Sequence, residues 1–359
     1  MAAKGICILG GGQKPLSVGT DLGETVEAPP APPPPEPGSS RRQLRLLTFV
    51  LALAVALIVL VSAYVMVVTT GPDADRDGLT EQRERQLGTD PADPDTDGDA
   101  IPDGVEVDMK RYDLSLTDPP AVDLDLDGNG ESDANPLVRD LFMEVDHMED
   151  YRISIIAEAL AQKPFRESPV GRIVLHIDQI VGGNAVPSTP CIGLAPAVRD
   201  TFFDLKAAHF APARKGVFHY AILANKVPRN ADCADDVLGQ ALANDDDFVL
   251  AFERLQFQGE SQIAAVFMHE LGHNLGLVGD TYPGVDNECT LPGSPCFDPD
   301  LYSNYRSVMN YRFQRGFGAS GLGGWVIDYS DGMNGPDGYG HPDYNDWGHL
   351  DYEGIRTPD

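Results

Sequence analysis

Apolar positions change rhythm several times along the chain, and each change marks a segment. Residues 1–43 show no periodic apolar face, and positions 29–37 are nearly all proline, an extended stretch with nothing to bury. Residues 46–68 then run for 23 positions without a charge, apolar on every face and long enough to cross a bilayer as a helix. Residues 71–136 turn strongly polar, with aspartate at alternate positions. From residue 137 ordinary globular alternation sets in. Strands are expected at 141–145, 172–177, 217–223 and 248–252, and helices at 153–160, 200–209 and 259–275. Strands alternating with helices predict an α+β fold, with helices packed on a twisted mixed sheet.

These changes divide the chain into a disordered proline-rich segment (1–43), a membrane or export helix (44–70), an acidic segment (71–136) and a globular domain (137–359). Arg41, Arg42 and Arg45 precede the apolar run and place the N-terminus inside the cell. The run reads either as an uncleaved single-pass anchor or as a cleaved export signal. The 45-residue lead favours the anchor; the twin-arginine-like stretch at 40–45 and the small residues Ser62 and Ala63 suggest the signal. Both readings put everything after residue 70 outside the cytoplasm, tethered to the cell membrane or secreted. Cys191, Cys233, Cys289 and Cys296 then lie in an oxidising compartment, where three connectivities are possible; the expected one is Cys289–Cys296 with Cys191–Cys233.

Charge sharpens the picture. The chain has 26 Lys and Arg against 56 Asp and Glu, a net charge of −30, which excludes nucleic acid as a partner. Hydrophobic residues at 42% exclude disorder of the whole chain. Half of the negative charge sits in residues 71–135, with 20 acidic and 5 basic residues. The acids are phased. Asp73, Asp75, Asp77, Gly78, Leu79, Glu81 and Glu84 occupy positions 1, 3, 5, 6, 7, 9 and 12 of an EF-hand-type loop. The spacing recurs 22 residues later at Asp95, Asp97, Asp99, Ile101, Asp103 and Glu106, with Ala100 where glycine is expected. A partial third copy reads Asp125, Asp127, Asn129, Gly130 and Asp133, with Pro136 in the last place. Alternate residues of a tight loop aim carboxylates at one centre, which suits Ca²⁺ and its six to eight hard oxygens; a merely solvated acidic linker would show no period.

The stretches at 93–99 and 125–130 resemble thrombospondin type 3 repeats, a resemblance that implies a segment held together by calcium rather than by a large apolar core. A dockerin-like binding module is the alternative, disfavoured by the unequal 22- and 30-residue spacing and by the absence of a helix expected after each loop.

His269-Glu270-Leu271-Gly272-His273 lies inside the helix expected at 259–275. The i, i+4 spacing puts both imidazoles on one face, able to bind one zinc, and Glu270 can reach a water there as general base. Gly276, three residues past His273, can end the helix in a left-handed turn. Together with Ser307-Val308-Met309-Asn310-Tyr311, this resembles the metzincin zinc metalloproteases, over roughly residues 137–350. The resemblance implies zinc ligation by His269 and His273, base catalysis by Glu270, Met309 as an apolar floor under the metal, and Tyr311 as a switchable ligand or oxyanion stabiliser.

One position departs from that pattern. The third ligand, usually His, should fall six residues after His273, where Gly279 stands. The neighbouring Asp280 is the expected substitute; Asp286, Glu288, His341 and His349 are the other candidates. The remaining histidines at 147, 176, 209 and 219 are expected to be structural. The expectation is an exported zinc endopeptidase on a calcium-braced stalk, acting on a protein or peptide; the alternative is an inactive, calcium-dependent binding module on the same scaffold.

Overall fold

The computed structural model describes residues 39–110, 121–179, 184–196, 198–229, 233, 236–243, 245–291, 293–314 and 326–352. The proline-rich stretch at 29–37 lies outside them. The chain divides into two compact units, residues 1–62 and 63–359.

Helix α1 (Ser39–Thr70) is the one helix among the described residues long and apolar enough to cross a membrane, over Arg41–Met66. Its leucines and valines are exposed all round, from Leu44 to Met66. A helix that is apolar on every face and exposed along its length fits a lipid environment or a signal sequence.

The acidic segment contains two short helices where loops alone are expected. Helix α2 (Glu81–Leu87) starts because Thr80 Oγ1 accepts from the Arg83 N–H, and it stops at Gly88 with φ 93°. Helix α3 (Asp103–Asp108) follows the second loop, starts after Pro102 without a side-chain cap, and ends on Met109 at φ 53°.

The globular part runs β1 (Asp140–His147), α4 (Ile155–Arg166), β2 (Val174–Asp178), α5 (Arg199–His209), β3 (Phe218–Ala224), β4 (Val227–Pro228), β5 (Asp236–Val237), β6 (Gly239–Ala241), β7 (Asp247–Ala251), α6 (Phe252–Leu255), α7 (Glu260–Asn274) and α8 (Tyr311–Gln314). Five strands form a mixed sheet in the order β2-β1-β3-β7-β6, parallel except for β6, which runs antiparallel along one edge; β4 and β5 make a separate two-stranded ribbon. All seven elements expected after residue 137 are present, with ends shifted by up to six residues. The largest shift is in α4, where Ser154 caps the start by accepting from the Ala157 N–H and the helix runs on to Arg166. The strand expected at 248–252 ends at Ala251 because Phe252 begins α6. Strand β6 was not expected: Gly-Gln-Ala carries no β-branched or aromatic residue to signal it.

Alternation in the buried strands builds two cores. On one face Leu141, Met143 and Val145 of β1 pack with Ala157, Ala161 and Phe165 of α4 and with the apolar body of α7. On the other face Phe142, Phe218, Tyr220 and Ile222 pack with Phe202 and Leu205 of α5. This second face also buries a charged network, in which Arg214 reaches Glu144 at 2.7 Å and Asp178 at 2.6 Å, and the Tyr220 hydroxyl donates to Asp146.

The second core corrects the expected boundary at 136/137. Ile101, Val105, Val122 and Leu124, all from the acidic segment, are fully buried in the same apolar cluster as Phe142 and Phe218. The segment is therefore part of the compact unit and not a separate stalk, because its few apolar residues find no core of their own and share that of the sheet. Both disulfides, Cys191–Cys233 and Cys289–Cys296, pair as expected.

Candidate metal centre

Helix α7 is buried along nearly its whole length, between the sheet and the chain that follows it. Its sequence brings the two histidines one turn apart, with the His269 and His273 Nε2 atoms 3.2 Å from each other. The other nitrogen of each ring is committed: His269 Nδ1 donates to the Val308 carbonyl at 3.1 Å, and His273 Nδ1 donates to the Leu277 carbonyl at 2.8 Å. A carbonyl can only accept, so each Nδ1 carries a proton, and it is Nε2 that presents a lone pair when the ring is neutral.

The third donor is Asp286, not Asp280. Asp280 is exposed in the turn after the helix. Asp286 places Oδ1 2.9 Å from His269 Nε2 and Oδ2 3.3 Å from His273 Nε2. Gly276, at φ 87°, turns the chain out of α7, and the chain returns only ten residues later. There Asp286 takes φ 54° and its N–H donates to the Met309 carbonyl, so the Met309 turn holds the backbone of the third donor. Of the other candidates, Glu288 is mostly exposed and 3.5 Å from Arg229, His341 pairs with Asp337, and His349 bonds the Asn345 carbonyl.

These donors fit a zinc ion. Two bare imidazole nitrogens and a carboxylate converge on one point, an arrangement their mutual repulsion disfavours unless a cation or a proton is shared there. Their separations of 2.9–3.3 Å match the roughly 3.3 Å edge of a tetrahedron of N and O donors about 2.0 Å from zinc. In the protein alone a proton takes that role. Burial opposes charge on His273, but the Asp286 carboxylate outweighs it and raises the imidazole to about 9. Burial likewise opposes charge on Asp286, and the two histidines overcome it to hold the carboxyl well below its usual range.

The neighbouring groups face a cleft of about 410 Å³, lined among others by Gly239, Gln240, His269, Glu270, His273 and Tyr311. Glu270 is 5% exposed, and burial raises its carboxyl above the ordinary range, partly offset by His269 and His273. The Tyr311 ring stacks on His269, with centroids 5.4 Å apart. Met309 is fully buried beneath the helix.

Two glycines make this packing possible, and both escape a reading of the motif alone. A Cβ on Gly272 would come within 3.1 Å of Met309 Cε and of the Tyr329 ring, so the central glycine of the motif lets the Met309 turn close on the helix. A Cβ on Gly239 would meet Glu270 Cγ at 2.7 Å, so edge strand β6 can lie directly under the Glu270 side chain.

The acidic loops repeat one local geometry. In each, the first aspartate accepts from the backbone N–H five residues on: Asp73 from Gly78, Asp95 from Ala100 and Asp125 from Gly130. All three acceptor-facing residues have positive φ, including Ala100 at 77°. Donor groups gather as Asp73, Asp75 and Asp77, as Asp95, Asp97 and Asp99, and as Asp125, Asp127 and Asp133, each within 4.8 Å. Asn129 instead accepts from the Glu131 N–H. The twelfth-position residues Glu84 and Glu106 are completely buried, and none of their four carboxylate oxygens has a hydrogen-bond partner. Burial, then the charges of Asp99, Asp97 and Asp140, pushes Glu106 up to about 12; burial, then Asp75 and Asp77, pushes Glu84 to about 7. Such groups are rare in proteins unless an ion compensates them. Comparison with protein-family models, with curated proteins and with solved structures finds no match for the chain.

Proposed function

We propose that the protein is a zinc endopeptidase of the metzincin type, tethered outside the cytoplasm by α1 or released after export, with calcium in its acidic loops. The observation that carries the proposal is the convergence of His269 Nε2, His273 Nε2 and the Asp286 carboxylate, with both Nδ1 protons fixed on carbonyls. A purely structural zinc site is closed by protein ligands, whereas this group opens onto a cleft that also holds Glu270 and Tyr311. Zinc bound by these three residues would supply Lewis acidity and acidify a water.

The chain's own groups fit the rest of an amide hydrolysis. Glu270, whose basicity burial raises above that of an ordinary carboxylate, would accept a proton from the attacking water and return it to the leaving amine. The Tyr311 hydroxyl would stabilise the oxyanion that develops on the carbonyl oxygen when water adds to the carbonyl carbon. Strand β6, at the edge of the sheet and along the cleft, can pair with an extended peptide. An unfolded protein or a flexible peptide suits that geometry better than a small molecule.

The test is made on the full-length chain in detergent with an unfolded protein as substrate. The wild type is expected to hold one tightly bound zinc and to cleave. Glu270→Gln is expected to keep the zinc and lose cleavage; zinc retained with no cleavage by the wild type would instead support the inactive binding module.

A further inference from the structure

The acidic segment and the sheet meet at a carboxylate cluster that no calcium loop contains by itself. Asp99 is fully buried. Its Oδ1 accepts from the Ile101 N–H, and its Oδ2 accepts at 2.5 Å from the backbone N–H of Asp140, the first residue of β1. Donor atoms of Asp99, Glu106 and Asp140 lie within 4.8 Å of one another, and all three residues are buried. Asp140 is itself oriented: Oδ1 lies 2.7 Å from His176 Nε2 on the neighbouring β2, and Oδ2 accepts from the Asn135 N–H. Arg139 donates from Nε to the backbone carbonyl of Asp97 rather than to a carboxylate.

Two side chains of the cluster are left without partners. Both oxygens of Glu106 and both of Asp97 are buried and accept no hydrogen bond. Glu106 has no solvent exposure at all, and it points at Asp99 and Asp140. Fully buried carboxylates facing other carboxylates either take up protons or hold a cation among them, and a cation would satisfy all the unpartnered oxygens of Glu106 and Asp97 at once. An all-oxygen donor set, dry and rich in carboxylates, selects calcium over zinc, which prefers nitrogen and sulfur, and over magnesium, which keeps several waters.

We propose that a calcium ion held by Asp97, Asp99, Glu106 and Asp140 clamps the acidic segment to the first strand of the central sheet, so that calcium is a structural part of the globular unit. This rests on the calcium reading of the loops and adds to it a donor from outside them. The clamp has a direct consequence for the site. Strand β1 pairs with β3, and β3 with β7, the strand that carries edge strand β6 and the wall of the cleft.

The experiment uses the full-length chain in detergent, stripped of calcium and kept saturated with zinc. Calcium binding is counted by equilibrium dialysis, and thermal unfolding is followed as calcium is added. The wild type is expected to melt higher by about 5 °C or more with calcium. Glu106→Gln is expected to bind one ion fewer and to melt above the wild type when both lack calcium, since it removes a repelling carboxylate whose oxygens make no hydrogen bond. Asp140→Asn, which keeps an acceptor for His176, is expected to weaken one site by about tenfold or more while Glu84→Gln leaves that site intact. Calcium binding in Asp140→Asn equal to the wild type would overturn the clamp but not the loops. No calcium binding by the wild type would overturn both.

Discussion

The zinc-type centre and the acidic cluster are both groups of converging donors, but the fold treats them differently. Around His269 and His273 the bonds that orient the donors are made: Val308 and Leu277 fix the rings, and Met309 fixes the backbone of Asp286. The centre is organised by protein contacts, so an ion there is free to serve chemistry. Around Glu84 and Glu106 the supporting bonds are missing, and buried oxygens face one another. There, on the calcium proposal, the ion itself would complete the structure. Loss of metal should therefore silence the first region and loosen the second.

Five variants test that contrast, in order of expected effect. Glu270→Gln should lower the rate of cleavage on the order of 10³-fold, with zinc content and melting temperature retained; an unchanged rate removes Glu270 from the chemistry. Asp286→Ala should weaken zinc binding by about 100-fold, read by competition with a chelating dye, whereas Asp280→Ala should leave it as it is. If Asp280→Ala proves the damaging change, the chain after Gly276 takes another path. Glu84→Gln should reduce the calcium-dependent rise in melting temperature by on the order of a few degrees and leave zinc content untouched. A melting curve that responds to zinc but not to calcium would reverse the contrast. Gly239→Ala should slow cleavage by about tenfold at constant zinc, because the new methyl group displaces Glu270 rather than the histidines. Equal loss of zinc and rate would mean that β6 supports the metal instead.

Much of this was legible in the sequence wherever the signal is local. An i, i+4 pair shares a helix face whatever surrounds it, so His269, Glu270 and His273 could be assigned from spacing. Alternating aspartates before a residue at positive φ describe the loops, and Ala100 adopts that backbone even without glycine. The short helices α2 and α3 were missed because seven and six residues are too few to show a helical period. The third donor was misplaced for a different reason. Asp280 is nearer in sequence, yet the left-handed turn at Gly276 carries the chain outward, and Asp286 is brought back by a backbone bond to Met309.

By itself the sequence determined what short-range geometry can express: an apolar helix of spanning length, three phased acidic loops, the order of strands and helices, and two histidines with a glutamate on one face. Only the tertiary structure decided which carboxylate joins the histidines, that Gly239 and Gly272 admit Glu270 and Met309, and that Asp140 meets Asp99 and Glu106. It also decided that the acidic segment shares the sheet's core through Ile101, Val105, Val122 and Leu124. Those contacts join residues tens of positions apart, and their partners are set by how the sheet and helices pack, which no local spacing encodes.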